Sequence, residues 1–360
     1  MAGPRDILVP LEGRSIIVET AAIDWYRTPL GREALRELTQ KSDLKGWLQA
    51  GSFLLIFVLT TAAGFYFFRA QQWAAMVVLC WFHSLFQGMV GMSAAVHELS
   101  HGTVFANRRV NEFFYRLFCF LTWNNPVHFR ASHMLHHQLT VHRGRDKEVI
   151  QVPVAEKLNC VNLVSWLTFD FKWFALLVRV NILHALGRGE VDFFSWDPLF
   201  PEGDPRRAAM CRWARLVLGG YLVLIAAFIV FHLWVLIYLL VFGCFFVRIL
   251  ANLTGAIQHT GLSESVPDWR LVCHTVKVNP LLGYLYWHMN YHTEHHMYAA
   301  VPCFNLARLH RAVTGDMQSP QPSFTACLKL LYRIKKLQKE DPRFVYVPEF
   351  PATAAPPRWK

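Results

Sequence analysis

The chain has 360 residues, 54% of them hydrophobic and only 17% charged, and its mean hydropathy is +0.24. Soluble domains carry about 25% charged residues, so the composition argues against a large water-soluble core, while 28 Phe and 13 Trp suit lipid-facing surfaces and interfacial belts. A net charge of +11 with histidine neutral fits either nucleic acid or anionic lipid; with long apolar runs present, membrane lipids are the expected partner and nucleic acid is not.

Residues 1–48 are mixed and charged, and 28–44 reads as a short amphipathic helix lying before the membrane, on its cytoplasmic side. The opening MAGPRDILVP lacks a basic-then-apolar signal pattern, so membrane entry is expected to fall to internal spans. Apolar runs at 51–68 and 73–96 each approach the ~20 residues needed to cross hydrocarbon. Their connector holds only Arg69 as a charge, which predicts an antiparallel hairpin with both ends cytoplasmic. Shorter aromatic stretches at 113–123 and 161–186 read as interfacial helices, the second because it carries Asp170, Lys172 and Arg179. A long apolar run then predicts two more spans, 214–231 and 233–257. The membrane domain is therefore expected to cover 49–310, and 311–360 adds a basic amphipathic helix near 329–339 and a Pro-rich tail, flexible or extended. Trp25, Trp47 and Trp73 read as anchors at the membrane interface. The eight cysteines form no CxxC pair and read as packing thiols of a reducing compartment.

Eight of the seventeen histidines fall in three tight clusters: His97 and His101 in HELSH, His133, His136 and His137 in HMLHH, and His292, His295 and His296 in HTEHH. Positions i, i+3 and i+4 share one helix face, so each cluster aims its imidazoles in one direction. Neutral imidazole is a ligand for Fe, Zn, Cu and Ni. Eight ligands exceed the four to six that one ion accepts, so convergence of the clusters implies two metals. His97 follows the second span and His259 follows the fourth, which brings His259 to the same membrane face as a ninth ligand. Glu98 and Glu294 read equally as hydrogen-bond partners that orient a ligand imidazole and as ordinary charged cap residues. His128, His142 and His288 read as neighbours or surface groups, and His310, outside the clusters, is expected to matter far less.

The three boxes, in this order and separated by apolar hairpins, resemble the membrane fatty acid desaturase and hydroxylase superfamily. The resemblance covers roughly residues 51–310. It implies an all-α integral membrane fold with four transmembrane helices in two hairpins and a cytoplasmic cap. It further implies two iron ions held by His97, His101, His133, His136, His137, His259, His292, His295 and His296, with O2 as co-substrate. A long-chain acyl or lipid-like substrate would lie in an apolar tunnel. No HPGG-like haem motif is present, so electrons are expected from a separate protein of the ferredoxin or cytochrome b5 type. Desaturation is the expected outcome, with hydroxylation as the alternative on the same scaffold.

Two other readings compete. HELSH also satisfies HExxH, in which His97 and His101 bind zinc and Glu98 is the general base of a membrane protease; that reading leaves the other clusters without a purpose. A metal transporter or store would place its ionisable groups within the spans, whereas these clusters lie at or beyond the span ends.

Overall fold

The computed structural model describes residues 22–188 and 199–360; the part of the N-terminal segment before residue 22 lies outside the described residues. Twelve helices carry the architecture: α1 (Ser52–Arg69), α2 (Trp73–Val90), α3 (Ala95–Ser100), α4 (Arg108–Leu121), α5 (Pro126–Leu139), α6 (Cys160–Leu167), α7 (Phe171–Ala185), α8 (Pro205–Val230), α9 (Ile249–His259), α10 (His292–Met297), α11 (Leu306–Val313) and α12 (Phe324–Leu337). Among the described residues there is no β-strand, only isolated bridges such as Phe169 with Phe246.

Among the described residues three helical runs are long and apolar enough to cross a membrane: Asp43–Arg69, Trp73–Ser100 and Pro205–Val230. α1 and α2 pack as the expected hairpin. Their outer faces stay apolar and exposed, with Leu55, Leu59, Val77 and Phe82 more than half accessible, as lipid contact requires. α8 starts at a strong N-terminal signal: the Asp204 side chain accepts from the Arg206 N–H, and Pro205 occupies the first turn.

The expected span over 233–257 is not one helix. Its apolar part, Trp234–Phe245, is α-helical, then π from Ile237 to Phe242, then 3-10 from Gly243 to Phe245. Twelve residues rise about 18 Å, short of the ~30 Å of hydrocarbon. Phe246 is then extended and Val247 adopts φ 44°, before α9 begins. Two features cause the break. Gly243 lies so close to α2 that a Cβ there would collide with the Gln87 side chain. Arg248 carries a charge that lipid excludes, and it turns back to Asp170 at 3.6 Å while its guanidinium lies over Trp173. The freed backbone groups are met by the α6–α7 junction: Val247 N donates to Thr168 O and Asp170 N donates to Phe245 O.

That junction also divides the interfacial helix expected over 161–186 into α6 and α7, with Asp170 capping α7 through the Trp173 N–H. The helix expected over 28–44 is likewise two short helices, Arg32–Leu38 and Asp43–Gly46. Trp25 is not a membrane anchor. It stacks on Trp269 at 4.5 Å with an interplanar angle of 2°, and its indole N–H donates to Gln138 O. Trp47 and Trp73 remain more than half exposed. The C-terminal tail is extended as expected and is docked on the cap. Tyr346 N donates to Gly261 O, and Arg358 pairs with Asp24 while its N–H reaches Asp268. Beneath it Arg270, fully buried, bridges Asp268 at 2.7 Å and Asp316 at 3.0 Å and lies over Tyr26.

Candidate metal centre

Four helices meet at one point between the apolar helices and the cap. α2 ends at Gly91, and a turn over 91–94 redirects the chain so that α3 points His97 and His101 inward. α5 is nucleated by Asn125, whose side chain accepts from Val127 and His128 N–H, followed by Pro126; its last turns carry His133, His136 and His137. α9 ends at His259. α10 follows a tight turn in which Trp287 and His288 both adopt positive φ, and it contributes His292, His295 and His296.

The nine histidines predicted from the sequence all converge here, in two groups. His97, His101, His133, His137 and His295 bring one nitrogen each within 4.8 Å of one another, and His136, His259 and His296 do the same. His292 joins the second group, with Nε2 2.9 Å from His259 Nε2 and 3.1 Å from His296 Nε2. In the first group Nε2 of His97 lies 2.9 Å from that of His295 and 3.0 Å from that of His133, and His133 Nε2 lies 3.0 Å from His137 Nε2.

Hydrogen bonds among the rings do not account for all of these approaches. A carboxylate or carbonyl oxygen only accepts, so an imidazole nitrogen facing one carries the proton. His133 Nδ1 donates to Glu148 Oε1 at 2.8 Å, His136 Nδ1 to Asp146 Oδ2 at 2.7 Å and His259 Nδ1 to Val272 O at 2.9 Å. Thr140 already donates its hydroxyl to His136 O, so His296 Nδ1 donates to Thr140 Oγ1 at 3.1 Å. In these four rings, when neutral, Nε2 is then a bare lone pair. His97 Nε2 lies between those of His133 and His295, and His292 Nε2 between those of His259 and His296; one N–H serves only one neighbour, so at least one contact in each group has no hydrogen bond, a conflict that a cation between the nitrogens removes. Two nitrogens about 2.1 Å from one ion and at right angles to each other stand about 3.0 Å apart. His101 Nε2 is buried with no hydrogen-bond partner at all. The donor set therefore fits two soft-to-borderline divalent ions, five imidazoles at one position and four at the other.

Burial, reinforced by the neighbouring imidazoles, holds His101, His137, His292, His295 and His296 well below the ordinary histidine value, in the neutral ligand form. His136 departs from this pattern. Burial works against its charged form as well, but Asp146 more than offsets that and raises it.

The carboxylates behind the ring are in part not those singled out in the sequence. Glu98, fully buried, lies 3.2 Å from His295 Nδ1. Glu294 touches no ligand ring. Its Oε2 accepts from Thr275 Oγ1 at 2.6 Å and its Oε1 meets His310 Nδ1, so it ties α10 to α11. Asp146 and Glu148 back His136 and His133, and neither is among the residues expected from the sequence; their signal is a D-x-E pair within fifteen residues of the second cluster, on a turn that folds back. Of the other histidines, His128 packs its ring on His184 at 4.8 Å, and His142 is edge-on to Trp25. His310, set aside by its sequence position, is the one that reaches the centre's support.

A search of curated proteins finds no match to this chain. Residues 71–326, which include all nine converging histidines, match the family model described as fatty acid desaturase, and the chain belongs to that family.

Proposed function

We propose that this protein is an O2-dependent diiron desaturase acting on an aliphatic, fatty acyl or lipid-like chain at the membrane surface. The observation that carries the reading is the pair of buried nitrogen groups, packed at 2.9–3.1 Å more closely than hydrogen bonds among the rings can satisfy. In it, His97, His101, His133, His137 and His295 hold one iron, and His136, His259, His292 and His296 hold the other. Bound there, the two irons would supply reductive activation of O2, so that a –CH2–CH2– unit, O2, two electrons and two protons give an alkene and two waters. The electrons come from a separate protein of the ferredoxin or cytochrome b5 type.

The chain's own residues set the conditions for that chemistry. Glu148, Asp146, Val272 O and Thr140 fix the tautomers, so that every ring they touch presents its Nε2 lone pair inward. The surrounding cap keeps bulk water away, since seven of the nine histidines are buried. Hydroxylation is the alternative outcome. The two differ in whether a second hydrogen is lost or oxygen is returned to the carbon, which substrate placement within about 1 Å decides.

The proposed topology has four crossings as two hairpins, with both termini and the site cytoplasmic. The connectors at 70–72 and 231–233 carry no Lys or Arg, and the remaining basic residues lie elsewhere. The fourth crossing is made by Trp234–Phe245 and α9 together, kinked at Phe246–Val247. The zinc protease reading is disfavoured by Glu98. Its closest imidazole contact is Nδ1 of His295, the nitrogen facing away from the cluster, whereas a general base must face the metal-bound water.

Metal analysis of protein purified in mild detergent from iron-supplemented cells is the test. About two irons per chain, reduced by His133→Ala and by His136→Ala, is the expected result, with an unsaturated lipid formed only in the presence of O2 and reductant. A single zinc that depends on His97 but not on His136 would return the argument to a protease.

A further inference from the structure

Behind His296 the contacts continue from the histidine cluster to the surface of the cap. His296 Nδ1 lies 3.1 Å from Thr140 Oγ1, and the indole N–H of Trp269 is aimed at the same oxygen at 3.4 Å. Trp269 is buried, and Trp25 stacks on it at 4.5 Å with an interplanar angle of 2°. Trp25 is partly exposed and is held by its own N–H, which donates to Gln138 O in the last turn of α5, and by His142, edge-on at 5.2 Å. The supports behind His295 and His259 end in the interior instead, since Glu98 and Val272 are both fully buried. The stack is not needed to fasten the segment that carries Trp25. Its neighbour Tyr26 does that, with its backbone N–H on Pro267 O and Arg270 over its ring.

The surface around Trp25 is basic. Arg27 is exposed, with its guanidinium 5.3 Å from the centre of the Trp269 ring. The turn that carries His142 adds Arg143, Arg145 and Lys147, and the docked tail adds Arg358. The acids of the same segments are already engaged: Asp24 with Arg358, Glu264 with Arg143, and Asp268 and Asp316 with Arg270. Among the described residues Arg27 forms no ion pair. Such an excess of positive charge steers and orients an acidic partner.

We propose that reducing electrons enter the protein here: an acidic one-electron carrier protein docks on the face around Arg27 and Trp25, and Trp25, Trp269 and Thr140 bridge it to His296. This rests on the reading of the cluster as a diiron oxidase and adds to it where its electrons arrive. Each transfer takes one electron from the reduced carrier, which is oxidised, to one ferric ion, which is reduced. No bond forms or breaks, and the indoles keep their oxidation state. Electron tunnelling weakens steeply with every gap it must cross, and here a stacked ring pair and a shared hydroxyl leave only contact distances between the surface and the ligand ring.

The test uses the purified, iron-loaded full chain in mild detergent and two acidic one-electron carriers, a plant-type [2Fe–2S] ferredoxin and the soluble haem domain of a cytochrome b5. At least one should bind, and more weakly as salt rises. Arg27→Glu should weaken that binding about ten-fold, and Arg27→Lys should keep most of it. Trp25→Leu should keep its iron and bind the carrier as wild type does, yet accept electrons from it several-fold more slowly, read as oxidation of the carrier in a single turnover. Trp25→Phe, which retains a stacked ring, should recover most of the rate, and Trp25→Met serves if the Leu variant does not fold. Reduced methyl viologen, a small cation that needs neither the docking face nor the indoles, should be oxidised equally fast by all these chains. Failure of both carriers to bind, binding indifferent to Arg27→Glu, or carrier oxidation by Trp25→Leu at the wild-type rate overturns the proposal, as does a Trp25→Leu chain equally slow with methyl viologen. A chain that binds a carrier through Arg27 but holds no reducible pair of metals would instead sink the oxidase reading and leave the docking face standing.

Discussion

Asp146 holds His136 from behind: its Oδ2 accepts from His136 Nδ1 at 2.7 Å and from Val141 N at 2.8 Å, while Oδ1 accepts from the N–H groups of Glu148 and Val149. One carboxylate thus closes the turn after box two and orients a ligand ring of that box. The same turn carries Glu148 to His133, so the two metal positions share one loop as their support.

Asp146→Asn keeps the shape and removes the charge. The amide oxygen can still accept from one donor, but it no longer strengthens the imidazole as a ligand. Metal affinity is expected to fall about 10- to 100-fold, the usual cost of losing such a partner. Titration of the loaded protein with a chelator, read as retained iron per chain, checks this; a titration curve that overlays wild type would remove Asp146 from the support of the centre.

His310→Ala is the second case, and here the structure reverses the expectation from sequence position. His310 lies outside the boxes, yet Glu294, fully buried between His292 and His295 in the chain, depends on it for its Oε1. Deleting the ring leaves a buried carboxylate oxygen without its donor, at a cost of about 1–3 kcal/mol or more. α10 should loosen from α11. The thermal midpoint is expected to drop by several degrees and iron retention to fall, with His310→Gln, which keeps an N–H donor, recovering part of both. Indifference of both readouts to His310→Ala would mean that Thr275 alone secures Glu294.

What could be read from the sequence follows the range of the interactions involved. The three boxes are legible because i, i+3 and i+4 spacing is a local property of a helix, and His259 is legible because a ligand at a span end needs only the order of the spans. Asp146 and Glu148 are not, since their contacts depend on how a nine-residue turn folds back on α5. The fourth apolar run hides its break for another reason. Hydropathy registers that 233–257 is apolar, whereas the kink is set by the close approach of Gly243 to Gln87 and by the attachment of Arg248 to Asp170, both tertiary. Trp25 misleads because an aromatic on an amphipathic segment looks the same whether it meets lipid headgroups or another indole, here that of Trp269.

The kink yields a third prediction. Asp170 and Arg248 are both buried, and Asp170 also caps α7 and accepts from Asn252 Nδ2 at 3.3 Å. Asp170→Ala strands the guanidinium and removes the cap, which should cost about 3–5 kcal/mol. Arg248→Met in the same chain should recover a good part, because the uncompensated charge is then gone. Thermal denaturation of the single and double variants in detergent measures the coupling. Simple additivity of the two changes would show that the pair does not hold the junction.

The fourth prediction concerns acid. His274 is buried, with its Nε2 donating to Thr260 O at 3.3 Å, its backbone N–H donating to Gln258 O and its ring stacked near Tyr346. Burial lowers it from 6.5 to about 4. The unfolded chain therefore binds a proton between those values that the folded chain refuses. The stability this residue contributes is complete above pH 6.5 and is lost as pH falls from 6.5 towards 4, by up to about 3 kcal/mol. Acid also releases metals from histidines, so the informative quantity is a difference between chains that both carry the centre. His274→Asn keeps a donor for Thr260 and has no proton to gain in this range. Its thermal midpoint should decline less steeply than that of wild type between pH 7 and pH 4.5. Parallel declines would show that acid acts on the metal centre alone and that the strap formed by Thr260, His274 and Tyr346 is indifferent to protonation.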